Sequence, residues 1–113
     1  MVLFLNDRQA PSVEAQPSVG LTSWRILELP WTEKRILMLS AEGVMRVTTA
    51  IVQLDLIART ATTSSGRIYE FQTPPETTPL IRAALVFNAS RVGLIDGIDV
   101  SEDIWRYFVS YSQ

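Results

Sequence analysis

The sequence predicts an α+β fold: a small antiparallel meander sheet or partly open β-barrel, followed by two C-terminal helices. Short segments with strand patterns come first along the chain, and helical patterns come only after them. The links between the predicted strands are too short to hold crossover helices, so neighbouring strands are expected to be antiparallel. The length of 113 residues is that of one domain, large enough to bury roughly two-thirds of its unfolded surface.

The chain is predicted to divide into a flexible leader, residues 1–21, and a single α+β domain, residues 22–113. Residues 6–20 contain two prolines and many small polar residues, and they show no hydrophobic period. The domain then begins with an extended segment, residues 22–29. Pro30 ends this segment, because proline has no N–H group to donate to a sheet.

Residues 33–42 fit two interpretations. Their apolar run, residues 36–39, is typical of either a buried strand or a short helix. Thr32 is a suitable N-cap for a helix and Gly43 a suitable stop, so the helix stays open as an alternative. We favour the strand, because a tight loop and then the β-branched residues of 44–49 follow at once.

Residues 44–72 are predicted to form an antiparallel meander. Residues 51–57 alternate between apolar and polar side chains, which indicates a strand with one dry face and one wet face. After a turn at residues 64–66, the chain returns as a strand that places Tyr69 and Phe71 on one face. The side chains expected on the dry face of the earlier strand are Val52, Leu54 and Leu56.

Two helices are expected after the prolines that end the sheet. Thr78 followed by Pro79 is a typical helix start, and Gly93 is placed to end that helix. Ser101 is expected to cap the last helix, whose first turn contains two acidic residues that suit a helix N-terminus. The apolar face of the last helix is expected to consist of Ile104, Trp105, Phe108 and Val109.

The composition excludes several classes of function. The sequence contains no cysteine and no histidine, which excludes disulfides, thiol nucleophiles, Ser-His-Asp hydrolases and zinc sites with imidazole ligands. We therefore predict no catalytic residue, no cofactor and no metal ligand. The net charge of −2 and the lack of a basic stripe argue against a nucleic-acid partner. Since no segment is long and apolar enough to span a membrane, we expect no membrane partner and a cytoplasmic location.

Two polar clusters have a functional interpretation, and a simpler one is favoured for each. The acidic residues between Asp96 and Asp103 suit Ca²⁺ or Mg²⁺, but their spacing matches no calcium loop. A turn and a helix N-terminus account for them. Residues 64–67, two serines, a glycine and an arginine, suit an anion, but a hairpin turn accounts for them more simply.

Two functions of different classes remain open. We favour a non-enzymatic interaction or accessory module that acts through surface contact. The alternative is a small enzyme or small-molecule-binding protein that uses carboxylates and arginines at the mouth of the sheet. That alternative requires a pocket in which an arginine meets at least two of four carboxylates: Asp55, Glu70, Asp96 and Asp99.

The interaction surface is expected on the two C-terminal helices. On a helical wheel, the apolar and aromatic side chains of the last helix span about 200°, whereas one core-facing stripe needs about 100°. The excess is expected to contact a protein partner, most simply a second copy of the chain in a homodimer. A second explanation is that the two helices cover each other. The predicted interaction residues are Trp105, Tyr107, Phe108 and Tyr111.

Overall fold

A computed structural model describes residues 12–30, 32–41 and 43–111, and in this part of the chain seven strands form one sheet. The elements in chain order are β1 Ser18–Leu21, β2 Trp24–Glu28, β3 Arg35–Ala41, β4 Val44–Asp55, β5 Thr60–Thr63, β6 Ile68–Phe71, α1 Pro79–Arg91, β7 Ile98–Asp99 and α2 Ser101–Tyr111. The strand order is β1-β6-β5-β4-β3-β2-β7, mostly antiparallel, and the sheet curls into a half-barrel. The predicted α+β fold is confirmed.

The end of the predicted leader belongs to the sheet, which corrects the expected boundary between leader and domain. β1 pairs in parallel with β6, from Ser18 opposite Ile68 to Leu21 opposite Phe71. The side chain of Leu21 is buried in the core. The alternation of Val19 and Leu21 with Ser18 and Gly20 is only a weak strand signal, and the pairing of β1 uses backbone groups that nearly every residue carries. Residues 1–11 of the leader lie outside the described part of the chain.

The strand interpretation is confirmed for the ambiguous segment, because Arg35–Ala41 forms β3. All four residues of the apolar run, 36–39, are buried. Since successive side chains of a strand point to opposite faces, both faces of β3 must be covered. This double coverage explains why the run shows no alternation.

β2 and β3 lie between two hydrophobic cores, and each core contains one of the helices. Trp24 and Ile26 of β2 pack in one core with Ile104 and Phe108 of α2. Leu27 points to the other face of β2 and packs in the second core. The helices therefore cover opposite faces of the sheet. They do not pack against each other, so the second explanation for their surplus of apolar side chains does not hold. The second core also contains Met38, Met45, Leu85 and Ala89.

An irregularity in β4 changes the alternation predicted for residues 51–57. Between Ile51 and Gln53, β4 has one residue more than the β5 segment that pairs with it. This bulge turns Val52 outward, where it is 63% exposed, so its predicted place on the dry face was wrong. Beyond the bulge the alternation resumes, and Leu54 packs against the core.

The ends of α1 agree with the sequence prediction. Thr78 is the N-cap residue and Pro79 the first helical residue. Gly93 follows the C-cap with a φ of 89°, a conformation that glycine adopts without strain. Leu94 N–H then donates to Ala89 O at 3.0 Å, which satisfies one of the last carbonyls of the helix.

The start of α2 differs from the prediction. Ser101 is the first residue of the helix rather than its cap, and its N–H donates to Asp99 Oδ1 at 3.0 Å. The Ser101 hydroxyl oxygen accepts a hydrogen bond from Ile26 N–H at 2.8 Å, so it ties α2 to β2. Neither α1 nor α2, the helices of the described part of the chain, is long and apolar enough to cross a bilayer.

Candidate functional site

A charged side chain, Arg25, lies between Trp24 and Ile26 in strand β2 and is only 1% exposed. Its Nε donates to Asp99 Oδ2 at 2.9 Å, and its Nη2 donates to Glu102 Oε1 at 2.7 Å. Its Nη1 donates to the backbone oxygen of Glu76 at 2.8 Å. The guanidinium therefore ties β2 to β7, to the first turn of α2 and to the segment before α1. We call these four residues the Arg25 cluster.

Hydrogen bonding decides the protonation of the Arg25 cluster. Burial by itself raises the pKa of Asp99, but hydrogen bonds from Arg25 and Ser101 outweigh burial and hold the pKa below its ordinary value. Burial also raises the pKa of Glu76, and hydrogen bonds from Ser23 and Thr78 lower it by more. Burial lowers the pKa of Arg25, but its two carboxylate partners outweigh burial and raise it. These three groups therefore stay charged at neutral pH.

The protein is expected to lose stability as the pH falls below about 4. Asp99 and Glu76 have lowered pKa values in the folded protein. Their stabilising effect is therefore complete above the unfolded pKa values and is lost as the pH falls through the folded ones. Urea unfolding at a series of pH values measures this. Asp99→Asn should make the free energy of unfolding depend less on pH. Asp103→Asn, at an exposed ion pair, should leave that dependence unchanged. The same pH dependence in both variants would contradict the stabilising role of the Asp99 carboxylate.

The Arg25 cluster is a structural arrangement, because all three nitrogens of Arg25 already donate to protein acceptors. Of the four carboxylates in the small-molecule hypothesis, the cluster contains only Asp99. Asp55 accepts hydrogen bonds from two backbone N–H groups of its own turn, and Glu70 accepts one from a nearby amide side chain. Asp96 lies in the turn before β7. Among the described residues, no group of three or more His, Cys, Asp or Glu side chains is placed to hold a metal ion.

The structure places two of the predicted interaction residues, Phe108 and Trp105, against the core. Phe108 is 0% exposed, and its ring centroid lies 5.0 Å from that of Phe71. A side chain this buried cannot contact a partner while the protein is folded, which corrects its predicted role. Trp105 is half-buried, and the guanidinium of Arg59 lies 5.0 Å from its ring centroid.

Two predicted interaction residues, Tyr107 and Tyr111, lie on the surface of α2. The helix buries the side that carries Ile104 and Phe108, so it is amphipathic and the tyrosines occupy its solvent side. The wide aromatic arc seen in the sequence therefore divides into a core half and a surface half.

α1 is apolar around most of its circumference but buries only one side. Leu80, Ala83 and Phe87 lie three and four residues apart on the opposite side, and Val86 is adjacent. Leu80 is 72% exposed and Phe87 is 55% exposed. We call these four residues the α1 stripe. The sequence shows the apolar surplus of this helix, but only the structure shows which residues are left exposed. The buried residues of α1 are Leu85, Asn88 and Ala89.

Described residues line two shallow clefts on the sheet. The first, of about 320 Å³, contains both acidic and basic side chains, and Arg35 Nε lies 3.7 Å from Glu28 Oε1 within it. The second, of about 250 Å³, has two arginines and no carboxylate among its lining residues. We call the second one the arginine cleft. It is lined by Ser12, Val13, Arg46, Val47, Thr48, Thr49, Ser65, Arg67 and Tyr69.

Comparisons with known proteins give no match. No model of a protein family matches the chain, and neither a curated protein nor a solved structure is found to be similar to it. A function must therefore be inferred from the surface and the clefts of this chain alone.

Proposed function

We propose that this protein is a non-enzymatic interaction module that pairs with a second copy of itself through the α1 stripe. The observation that carries the proposal is the position of the stripe on the side of α1 that faces away from its core. α2 lies on the other face of the sheet, so it cannot cover the stripe. Exposed apolar patches of this kind are typical of protein contact surfaces.

The order of large and small side chains along the stripe suits a symmetric pair. Ala83 lies between Leu80 and Phe87, and a small residue at this point lets two antiparallel helices approach closely. A two-fold axis beside Ala83 places Leu80 of one copy opposite Phe87 of the other. Phe87 also supplies the kind of exposed aromatic anchor that contributes strongly to binding.

The charges of α1 are compatible with an apolar contact. The helix contains no carboxylate, and its two charged residues are Arg82 and Arg91. Arg82 lies about 160° from Leu80 around the helix axis but about 40° from Val86, so it borders the stripe. Arg91, the last residue of the helix, lies about 20° from Leu80, at the C-terminal end of the stripe, where it is exposed. Pairing through the stripe therefore buries no unpaired carboxylate, which would oppose association.

The exposed tyrosines of α2, Tyr107 and Tyr111, form a separate surface because α2 covers the other face of the sheet. The alternative is that the protein pairs through these tyrosines rather than through the α1 stripe, since α2 has more aromatic side chains than the core buries. Variants on each helix distinguish the two surfaces.

The full chain is expected to run as a dimer, at twice 12.7 kDa, in light scattering on a sizing column at about 100 µM. A double change, Leu80→Glu with Phe87→Glu, is expected to raise the dissociation constant by at least about 100-fold. The reason is that a carboxylate buried without a partner costs several kcal/mol.

Ile57→Glu is the matched control, because Ile57 is an exposed apolar residue outside both helices. It should leave the dimer intact. If Tyr107→Glu with Tyr111→Glu dissociates the dimer and the α1 double change does not, the contact lies on α2. A monomer for the unmodified chain at about 100 µM would contradict self-association through either surface.

A further inference from the structure

Arg46, in the arginine cleft, has a buried donor for which the described residues supply no acceptor. Its Nε is shielded from solvent and makes no hydrogen bond within the described part of the chain. The ion pairs found among the described residues do not include Arg46. Buried polar groups in proteins are nearly always hydrogen-bonded, so the guanidinium of Arg46 lacks, among the described residues, the acceptor that it would ordinarily have.

Hydroxyl groups surround the same cleft. Thr49 Oγ1 accepts a hydrogen bond from Ser65 N–H at 3.3 Å, which leaves its own hydrogen to be donated. The Ser65 hydroxyl lies 3.0 Å from Thr63 Oγ1. A second guanidinium, that of Arg67, also lines the cleft, and its Nε donates to the backbone oxygen of Gln16 at 3.0 Å. The cleft therefore combines positive charge with neutral donors.

The local fold builds this cleft from an irregular part of β4. In the pairing with β3, β4 has an extra residue opposite the step from Ile36 to Met38. Thr48 Oγ1 fills the gap in the ladder by accepting from Leu37 N–H at 3.2 Å. The turn at residues 64–66 is held against β4 nearby, because Ser64 N–H donates to Ala50 O at 2.9 Å.

We propose that the arginine cleft binds a small phosphate-bearing molecule, whose phosphate is held by Arg46 and by the hydroxyls of Thr49 and Ser65. The planar fork of a guanidinium matches the oxygens of a phosphate, and no carboxylate among the lining residues competes for it. A volume of about 250 Å³ lies below the roughly 300–1,000 Å³ of sites for drug-sized ligands. The cleft therefore accommodates a phosphate and only a small group attached to it.

This site is separate from the surface proposed for self-association. No residue of the α1 stripe lines the arginine cleft. Phosphate binding can therefore be tested in the full chain whether or not the chain forms a dimer, and either proposal can fail without the other.

The probe is inorganic phosphate, added to the full chain at constant ionic strength while amide NMR signals are followed. We expect saturable shifts at residues 46–49 and 64–67, with a dissociation constant on the order of 1 mM. Acetate at the same ionic strength should bind at least about tenfold more weakly, because it offers fewer oxygens to the donors. Equal binding of acetate would overturn the assignment to phosphate, and non-saturating shifts spread over all surface arginines would overturn the site.

Arg46→Gln should weaken phosphate binding at least about tenfold, and Arg82→Gln, on α1, should not change it. Ser65→Asp adds a negative charge at an exposed turn position, so it should abolish binding with the fold retained even if Arg46→Gln does not fold. Wild-type affinity in Ser65→Asp, or in a folded Arg46→Gln, would overturn the proposal.

Discussion

Replacing Arg25 by methionine is expected to lower the free energy of unfolding by about 3 kcal/mol. Methionine keeps most of the apolar volume, so the loss comes from the hydrogen bonds and the ion pairs. Without the guanidinium, Asp99 keeps its partly buried charge with no cation beside it, and the backbone oxygen of Glu76 loses its donor. The expected loss is at the lower end for a broken buried ion pair, because Asp99 retains some contact with water.

Chemical denaturation of Arg25→Met beside Arg106→Met tests this expectation. Arg106 forms an exposed ion pair with Asp103, so its replacement should change stability by less than about 1 kcal/mol. Adding Asp99→Asn to Arg25→Met should restore part of the loss, because the unpaired charge is removed. Equal stability of the two arginine variants would show that the Arg25 cluster contributes nothing beyond a surface ion pair.

The change Phe108→Ala is expected to destabilise the protein by about 3–5 kcal/mol. Phe108 is fully buried, and its ring packs against Phe71 and Trp105. Truncation to alanine removes these contacts and leaves a cavity in the core that joins α2 to the sheet. Thermal unfolding followed by circular dichroism measures the loss.

Tyr107→Ala is the matched control, because Tyr107 is an aromatic residue of the same helix on its exposed side. It should change stability by less than about 1 kcal/mol. If both variants are equally stable in the monomeric state, Phe108 is not part of the core. A folded, stable Phe108→Ala that fails only to associate would restore Phe108 to the interaction surface on which the sequence placed it.

Several elements of the fold were predictable because their signals are local. Thr78 and Pro79 mark the start of α1 by local preference alone, since proline is favoured at the first position of a helix. Tyr69 and Phe71 are both buried, as the period of two for a strand predicts. Strand patterns followed by helical patterns were sufficient to predict the α+β class.

Other features were not predictable because they depend on pairing between distant segments. Val52 matched a dry strand face, but a bulge opposite β5 turned it outward. β1 has only two alternating apolar residues, Val19 and Leu21, and it becomes a strand by pairing with β6. Phe108 and Tyr107 are neighbours on an apolar arc, and the placement of α2 on the sheet decides which one is buried.

The candidate sites, too, combine local signals that the sequence shows with contacts between distant segments that it does not show. The sequence contained a visible signal for Arg25, a charged residue between apolar ones in a strand, but its partners Asp99 and Glu102 lie more than 70 positions away along the chain. The residues of the turn at 64–67 suit an anion, but from the sequence alone a hairpin turn was the favoured interpretation. Arg46 joins that turn only because β4 and β5 are adjacent in the sheet.

The sequence by itself determined which classes of chemistry are excluded and where most of the strands and both helices lie; β1 and β7 were not predicted. Both follow from residue identity and from spacing over a few positions. Only the tertiary structure decided which apolar residues are core and which are surface. α1 and α2 each carry more apolar side chains than one sheet face can cover, and their placement on opposite faces leaves Leu80, Phe87 and Tyr107 in water. Burial depends on what lies across from a side chain, and the position of that neighbour is set by the whole chain.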